Sequence, residues 1–554
     1  MARDPIAPRP RFETLVVTKP PGYTRRFLTT VRHFAGLLTG GLVAYVDHSR
    51  ADGTGRGPRF LLARLSAGVV RPFVRRDLVH RPFAVQLRRR LELLGPTYIK
   101  LGQILSLRED ILPEEVTDEL KNLLSRLPAA PMGVIREIIE RDLGRSVEAA
   151  FAWIDAEPLG SASIAQTHRA TTLEGDAVVV KVVKPGIPET LQRDARLLGF
   201  LGSILQIVFR QYQPKQIIRE FTEYTLREVD LRREADNAET FTANFRDAAD
   251  ITFPAIYRRY SGKRVLCMEF IDGLTPDSPE AKELPEADRR RLTDLGAQAI
   301  IRMLYQDGFF HADLHPGNLL IRPGTQVGFI DLGMVGRLDE DLRRTLLYYY
   351  YSLVMGDAEA AARYLTAIAQ PGPGADPSGF RREVTEISHR WKLSSTFEGF
   401  SLARLVLESV ARGATFRMYF PVEMVLMVKA LITFEGVGNV LLPGIDVAEL
   451  SRRHVRRVFL QQFSPVRVLQ EGLREAPEVI DAMVKMPLLM SEGLRVLEKT
   501  ARRSPENPLA GIRGSLLAGS CVIAGAITLA LGGAWPIWVA FLLVGLVLGV
   551  RKGA

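Results

Sequence analysis

Residues 308–321 read GFFHADLHPGNLLI and set His311, Asp313, His315 and Asn318 between two apolar runs. Two chemistries compete for such a stretch. On an extended chain alternate side chains share one side, so His311, Asp313 and His315 would offer nitrogen and oxygen ligands to one metal ion, as in a metallohydrolase. The competing chemistry is phosphoryl transfer. Asp313 and Asn318 stand five apart after His311 and fit the spacing HxDxxxxN, in which the aspartate accepts a hydroxyl proton and the asparagine helps hold a magnesium ion. Thirteen residues beyond Asn318, the apolar strand end Val327 to Ile330 delivers Asp331-Leu332-Gly333. A short hairpin would bring Asn318 and Asp331 to one place, and their oxygen donors suit a hard ion such as Mg²⁺. Upstream, Lys181 lies within Val178 to Val183, VVVKVV, a β-branched run preceded by the turn signal Glu174-Gly175-Asp176; it supplies a positive charge for the α and β phosphates. Each residue alone has a plain reading, as a solvated lysine, a turn-capping aspartate or an asparagine in a Pro-Gly turn. Together and in this order, the set favours phosphoryl transfer over the metal site.

The chain has 554 residues, of which 47% are hydrophobic and 8% aromatic, enough for two to four domains with a sizeable core. Two cysteines, Cys267 and Cys521, lie far apart in apolar runs, which argues against a disulfide framework and fits a reducing compartment. The net charge of +10 is concentrated at one end, where residues 1–100 hold 19 Lys and Arg against 6 Asp and Glu. Such a region suits nucleic acid or an anionic membrane. The other end decides for the membrane. Ser515 to Val550 is 36 residues without a charge, interrupted by Gly532-Gly533-Ala534-Trp535-Pro536. This pattern predicts a transmembrane hairpin, Leu516 to Leu531 and Trp535 to Val550, with arms of about 24 Å at helical rise. Lys499, Arg502, Arg503 and Arg513 before it and Arg551 and Lys552 after it put both ends on the cytoplasmic side. Gly545 with Gly549, and Ser515 with Gly519, would let the two arms approach closely. No secretory signal is visible at the start. The apolar run Phe34 to Val46, 13 residues with three glycines, is too short to span and suits either the membrane interface or a packed helix.

Between these ends the pattern is mixed. Gly95 to Leu127 reads as helical, Ser163 to Ala170 as a hairpin partner for the VVVKVV strand, and Ile251 to Tyr257 and Arg264 to Phe270 as further strands. A long helical stretch, Pro188 to Phe245, separates the strand pairs, and nearly everything after Asp272 reads as helix. A small β-rich part followed by a larger helical one predicts an α+β, helix-rich, two-lobed fold.

At this point the sequence resembles the UbiB (ADCK-like) family of atypical kinases, over about Gly95 to Arg337. The most specific marker is Lys100-Leu101-Gly102-Gln103 in GPTYIKLGQILSLREDILP, which looks like the family's KxGQ extension. Lys100 and Gln103 share a helix face at that spacing. The segment Leu159, Gly160, Ser161, Ala162, Ser163, Ile164, Ala165, Gln166 is similar to the family's alanine-rich loop, whose small side chains allow backbone N–H groups near phosphates. Glu228-Val229-Asp230 with Glu234 looks like the ExD motif and the ion-pair glutamate. If all three share one helix, their carboxylates crowd unless cations offset them, so the expectation is Glu234 on Lys181, and Glu228 and Asp230 facing Lys100 and the metal. Glu269 stands where a kinase hinge meets adenine. The sequence departs from ordinary kinases in the helical insertion between Lys181 and Glu234 and in the lack of an activation segment after Asp331-Leu332-Gly333, and from the family in Leu314 and Thr167, where proline and valine are more usual.

The resemblance implies a protein-kinase-like two-lobed fold, with a basic arm suited to a membrane surface (1–93), a KxGQ helical extension (94–150), an N-lobe (151–273), a helical C-lobe (274–510) and the transmembrane hairpin (511–554). It implies ATP and Mg²⁺, with Asp313 as proton acceptor, Asn318 and Asp331 as metal donors and Lys181 on the phosphates. The expected role is an atypical kinase or ATPase supporting isoprenoid quinone (ubiquinone-type) biosynthesis from a bacterial-type inner membrane, multi-pass, with its catalytic domain in the cytoplasm. The partners expected are nucleotide, membrane lipids, quinone-precursor lipids and a quinone-biosynthesis complex, with a homo-oligomer left open and no nucleic acid. Two alternatives stand beside it: a nucleotide-switched scaffold for a lipid-biosynthesis complex, and a conventional protein kinase.

Overall fold

A computed structural model describes residues 22–51, 57–70, 81–106, 112–123, 128–208, 214–394, 402–444 and 447–462, with scattered positions between 520 and 544. The chain divides into two compact units, Met1–Gln461 and Gln462–Ala554. The expected hairpin and its small-residue pairs belong to the second unit and lie almost wholly outside the described residues.

The first unit begins with helices: α1 (Tyr23–Ala51), α2 (Pro58–Val70), α3 (Phe83–Leu94), α4 (Pro96–Leu105), α5 (Glu114–Lys121) and α6 (Met132–Leu143). Helix α1 runs well past the apolar segment Phe34 to Val46 on both sides. Its stretch Tyr23–Ala44 is long and apolar enough to cross a membrane. It also packs on α3 where glycines remove the side chain: Arg90 donates to Gly36 O at 2.8 Å and Gln86 to Gly40 O at 3.2 Å, and a Cβ at either glycine would run into those side chains. Leu91, Leu94, Tyr98, Leu101 and Leu120 fill the space between α3, α4 and α5, and Gly102 leaves room for Leu91 and Leu123.

The N-lobe sheet is antiparallel and five-stranded: β1 (Phe151–Ile154), β2 (Gly160–Ser161), β3 (Ala165–Thr172), β4 (Ala177–Val183) and, beyond a helical insertion and a short strand β5 (Ile251–Thr252) that joins another sheet, β6 (Val265–Glu269). Strand β3 lies between β1 and β4, with β2 also paired to it, and β6 is beyond β4. The VVVKVV run is sorted by the period-two alternation of a strand. Val178, Val180 and Val182 are fully buried against Ile135, Ile138 and Ile139 of α6, while Val183 packs on the opposite face with Leu231 and Ala235. Lys181 has the parity of Val183 and so faces the same helix.

The segment expected as one helical stretch is three helices, α7 (Ile187–Val208), α8 (Pro214–Glu228) and α9 (Leu231–Asn244), with β5 (Ile251–Thr252) following. The break before α9 has a local cause. Asp230 adopts an extended backbone and its carboxylate accepts the N–H of Arg232, an N-cap that starts a new helix.

The C-lobe is helical: α10 (Pro279–Lys282), α11 (Glu286–Ile301), α12 (Glu340–Met355), α13 (Ala358–Ile368), α14 (Pro377–Ser394), α15 (Leu402–Arg412), α16 (Val422–Leu441) and α17 (Val447–Gln462). Between α11 and α12 run β7 (Phe309–His311), β8 (Leu319–Arg322), β9 (Gln326–Phe329) and β10 (Val335–Arg337). β7 pairs with β10, and β9 is flanked by β8 and, in parallel, by β5. An aromatic stack welds α9 to these strands: Phe241 lies 5.1 Å from Phe253 and 4.6 Å from Phe309, and Phe253 lies 5.4 Å from Phe329, centroid to centroid. Helix α16 is also long and apolar enough to cross a membrane, but half of it is buried within this unit.

Candidate active site

Strand β4, helix α9 and the turn after β9 meet at one lysine. Lys181, from β4, donates to Glu234 Oε1 at 2.8 Å and to Asp331 Oδ1 at 2.7 Å. Burial by itself would lower this ammonium, but the charges of Asp331 and Glu234 outweigh burial and raise it. Burial pushes Glu234 up to about 7 against the pull of Lys181, with the Asp331 charge adding to the rise. For Asp331 burial acts in the same upward sense, yet Lys181 prevails and holds the carboxyl down at about 2. The proton therefore goes to Glu234 first, and Asp331 stays ionised.

Asp331 follows β9 with φ of +54°, a left-handed backbone rarely adopted by a non-glycine residue. That turn swings its carboxylate back toward Lys181. Gly333 beside it leaves room at the ion pair, because a Cβ there would lie 3.3 Å from Glu234 Oε2 and 3.5 Å from Asp331 Oδ1. Asn237 of α9 donates to Leu332 O at 3.0 Å and pins the same turn.

The catalytic-loop stretch is organised around His311. Its Nδ1 accepts the Asp313 N–H at 3.0 Å, and its Nε2 bonds Ile330 O at 3.2 Å, so both ring nitrogens serve the backbone. Burial lowers its pKa and keeps it neutral. His311 is thus a spacer between the Asp313 and Asp331 backbones. The metallohydrolase alternative loses a ligand by this geometry, and among the described residues no group of three His, Cys, Asp or Glu side chains converges on a metal position. Asn318 donates its amide to Asp313 O at 3.0 Å, and its N–H bonds His315 O at 2.9 Å. With the amide nitrogen committed, Asn318 Oδ1 is the atom that would meet a cation.

Asp313 has a partner the sequence did not suggest. Lys429 of α16 donates to Asp313 Oδ1 at 2.8 Å. Burial would raise this carboxyl, but Lys429 more than offsets it and the net shift is downward. The available signal was a single lysine within the apolar run Met424 to Phe434; a charge there needs a partner.

The remaining motif residues surround this core. Lys100 of α4, 8% exposed, donates to Glu228 Oε1 at 2.7 Å. Gln103, half-buried, is one turn further along α4. Asp230 does not join Glu228: the helix break turns it to Arg232, which donates to it from Nε at 2.9 Å and from Nη2 at 2.6 Å. The expectation that both ExD carboxylates face Lys100 rested on one continuous helix, and the N-cap removes it. The alanine-rich segment is a tight hairpin. Leu159 N–H bonds Thr167 O, Gly160 and Ser161 pair with β3, and Ala162 N–H closes on Ala165 O at 2.9 Å across Ser163 and Ile164. Gln166 turns under it and is bonded to both Ala130 N–H (2.7 Å) and Ala130 O (3.2 Å). Lys184, another residue not anticipated, donates to Ala162 O at 2.6 Å and Pro128 O at 3.0 Å, and burial lowers it to about 8. Glu269 ends β6, where its carboxylate accepts Ala255 N–H at 3.2 Å.

Oxygen donors of Asp331 and Asn318, with Lys181 beside them, are a donor set that suits Mg²⁺ and phosphates rather than a soft metal. Comparisons agree with that chemistry. A profile described as the ABC1 atypical kinase-like domain matches residues 122–365, and one described as the UbiB helical domain matches 393–446. A curated relative, "Probable protein kinase UbiB" of Cellvibrio japonicus, is 30% identical over 76% of this chain and 77% of its own. The namesake from Tolumonas auensis is 31% identical over 74% of this chain and 76% of its own. "Protein ACTIVITY OF BC1 COMPLEX KINASE 7, chloroplastic" of Arabidopsis thaliana is 30% identical over 74% of this chain and 59% of its own.

Proposed function

The chain belongs to the UbiB family of ABC1 atypical kinases, and on that premise we propose that it is an ATP-dependent phosphotransferase or ATPase serving isoprenoid quinone (ubiquinone-type) biosynthesis at the cytoplasmic face of a membrane. The single observation that carries the chemical part is Lys181 bonded at once to Glu234 and Asp331, from different lobes, beside the loop that holds Asp313 and Asn318.

In this reading Lys181 orients the α and β phosphates, and the alanine-rich hairpin from Leu159 to Gln166 turns backbone N–H groups toward them. Asn318 and Asp331 hold Mg²⁺, which when bound neutralises charge on the phosphates. Asp313 accepts the proton of an acceptor hydroxyl or water. Glu269 stands at the adenine end. Lys100, with Gln103 on the same helix and Glu228 opposite, forms part of the extension 94–150, which covers the entrance a protein substrate would use; that favours a small or lipid acceptor. The basic first hundred residues and the uncharged stretch Ser515 to Val550 support anchoring to a bacterial-type inner membrane by the hairpin 511–554, close to quinone-precursor lipids.

The test is ATP turnover by purified full-length protein, with and without phenolic quinone-precursor analogues and anionic vesicles. Wild type should hydrolyse ATP and respond to lipid, and Asp313→Asn should not. An Asp313→Asn protein as fast as wild type removes the proton-acceptor role.

A further inference from the structure

Lys429 is the charged side chain that the chemistry above leaves unused. It sits midway along α16, and from Met424 to Phe434 no other residue is charged. Its Nζ is 2.8 Å from Asp313 Oδ1 and 3.8 Å from Met334 Sδ. The two side chains of the pair are 21% and 29% exposed, so the contact stands at the rim of the cleft, open to whatever approaches Asp313. The other lysines of the site are engaged too, Lys181 by Glu234 and Asp331, Lys100 by Glu228, and Lys184 by the backbone oxygens of Ala162 and Pro128. His315 Nε2 is 3.9 Å from Asp313 Oδ2, and its Nδ1 accepts the Gly317 N–H.

Resting on the phosphotransfer reading above, we propose that Lys429 is a catalytic residue, supplied by the helical region after the kinase-like domain, which contacts the phosphoryl group as it passes to the acceptor. An acceptor hydroxyl bonded to Asp313 places its oxygen about 2.7 Å from that carboxylate, and phosphorus approaches the same oxygen in line at about 3 Å. The Lys429 ammonium, already on Asp313, reaches the phosphoryl oxygens by a rotamer change of its flexible stem. The acceptor oxygen bonds to the γ-phosphorus while the bond from that phosphorus to the β,γ-bridging oxygen breaks. The hydroxyl proton passes to Asp313, the nucleoside diphosphate leaves with the electron pair, and Lys429 keeps its proton throughout. Its contribution is charge placed where the transition state needs it, and it also fixes Asp313 before the acceptor arrives.

The experiment compares wild type, Lys429→Gln, Lys429→Met, Lys429→Arg and Asp313→Asn as full-length proteins, measuring steady-state ATP turnover and binding of fluorescent ADP with Mg²⁺. Lys429→Gln keeps a hydrogen bond to Asp313 without the charge, which separates catalysis from folding. The expected result is a fall in kcat of about 100-fold for Gln and Met, a KM for ATP within about threefold of wild type, and unchanged ADP binding. Lys429→Arg should recover to within about tenfold of wild type. Lys429→Gln at the wild-type rate, with Asp313→Asn inactive, overturns the role of Lys429 alone. Loss of kcat and ADP binding in parallel, with no recovery in Lys429→Arg, makes it a structural tie and also overturns the proposal. If Asp313→Asn turns over ATP normally, the underlying phosphotransfer reading falls, and this assignment with it.

Discussion

Lys181 and Asp331, 150 residues apart, are bonded at 2.7 Å, so the wall built by the sheet and the wall built by the catalytic-loop strands meet through one ammonium. Lys181→Met should lower kcat/KM for ATP by about 100-fold or more, because it removes both phosphate orientation and the charge that keeps Asp331 ionised. It should also extend to higher pH a dependence of stability that wild type already carries through Glu234, whose carboxyl stands at about 7. Without the lysine, burial favours the neutral form of Glu234, which the folded protein then keeps protonated where the unfolded chain is ionised, so stability falls as pH rises. Thermal melts of the variant between about pH 6 and pH 8 should decline relative to wild type.

Gly333→Ala tests the turn that carries Asp331. The new methyl would stand 3.3 Å from Glu234 Oε2, and the glutamate must shift away from Lys181. ATP turnover should drop about tenfold while the melting temperature changes little, since the added atom meets only the end of a side chain, which can give way by a small shift. Steady-state kinetics beside calorimetry reads both.

Lys184 provides a pH dependence of the opposite sign. Its folded value of about 8 lies below the ordinary 10.5, so between those limits the unfolded chain holds a proton that the folded protein has lost. Stability from this residue therefore rises with pH across that window and is flat below it. Wild type should gain on the order of 1 kcal/mol relative to Lys184→Met between about pH 8 and 10 in denaturant titrations. A parallel pair of curves would count against a deprotonating Lys184.

Arg26 of α1 donates to Asp194 through Nε at 2.7 Å and Nη2 at 2.6 Å, and Asp194 is fully buried. Arg26→Met should destabilise the protein by about 3 kcal/mol because it strands a buried carboxylate. Arg26→Met combined with Asp194→Leu should recover most of that loss in the same denaturant titration.

The residues that could be found from sequence are those whose neighbours carry a local pattern. Lys181 stands out in a β-branched run, and Asp313, Asn318 and Asp331 stand out by spacing around strand ends, so the cleft's two walls were legible. Lys429 was not, because it reaches Asp313 from a helix 116 residues further on whose apolar pattern says only that it is buried. Asp230 misled for a different reason. Carboxylates four apart suggest one helix face, but an aspartate before Leu231 is also an N-cap, and the backbone N–H groups of a new helix outweighed helical continuity. Lys184 was invisible because its partners are the backbone oxygens of Pro128 and Ala162, which no side-chain pattern encodes; Gln166 was named as the end of the alanine-rich segment, but its tie to the backbone of Ala130 was not. Helix α1, too, starts before its apolar segment, since Arg26 and Thr30 hold its first turns inward by polar contacts to Asp194 and Tyr98 that add no hydrophobicity.

The aromatic stack of Phe241, Phe253, Phe309 and Phe329, together with the Asn237 bond to Leu332, makes Glu234 and Asp331 passengers on a single rigid block. An on–off control that works by swinging the glutamate's helix outward is disfavoured in such a molecule, since that motion would pull the Phe241 ring off Phe253 and Phe309. Control of this kinase-like protein is therefore expected to act elsewhere than on the position of that helix.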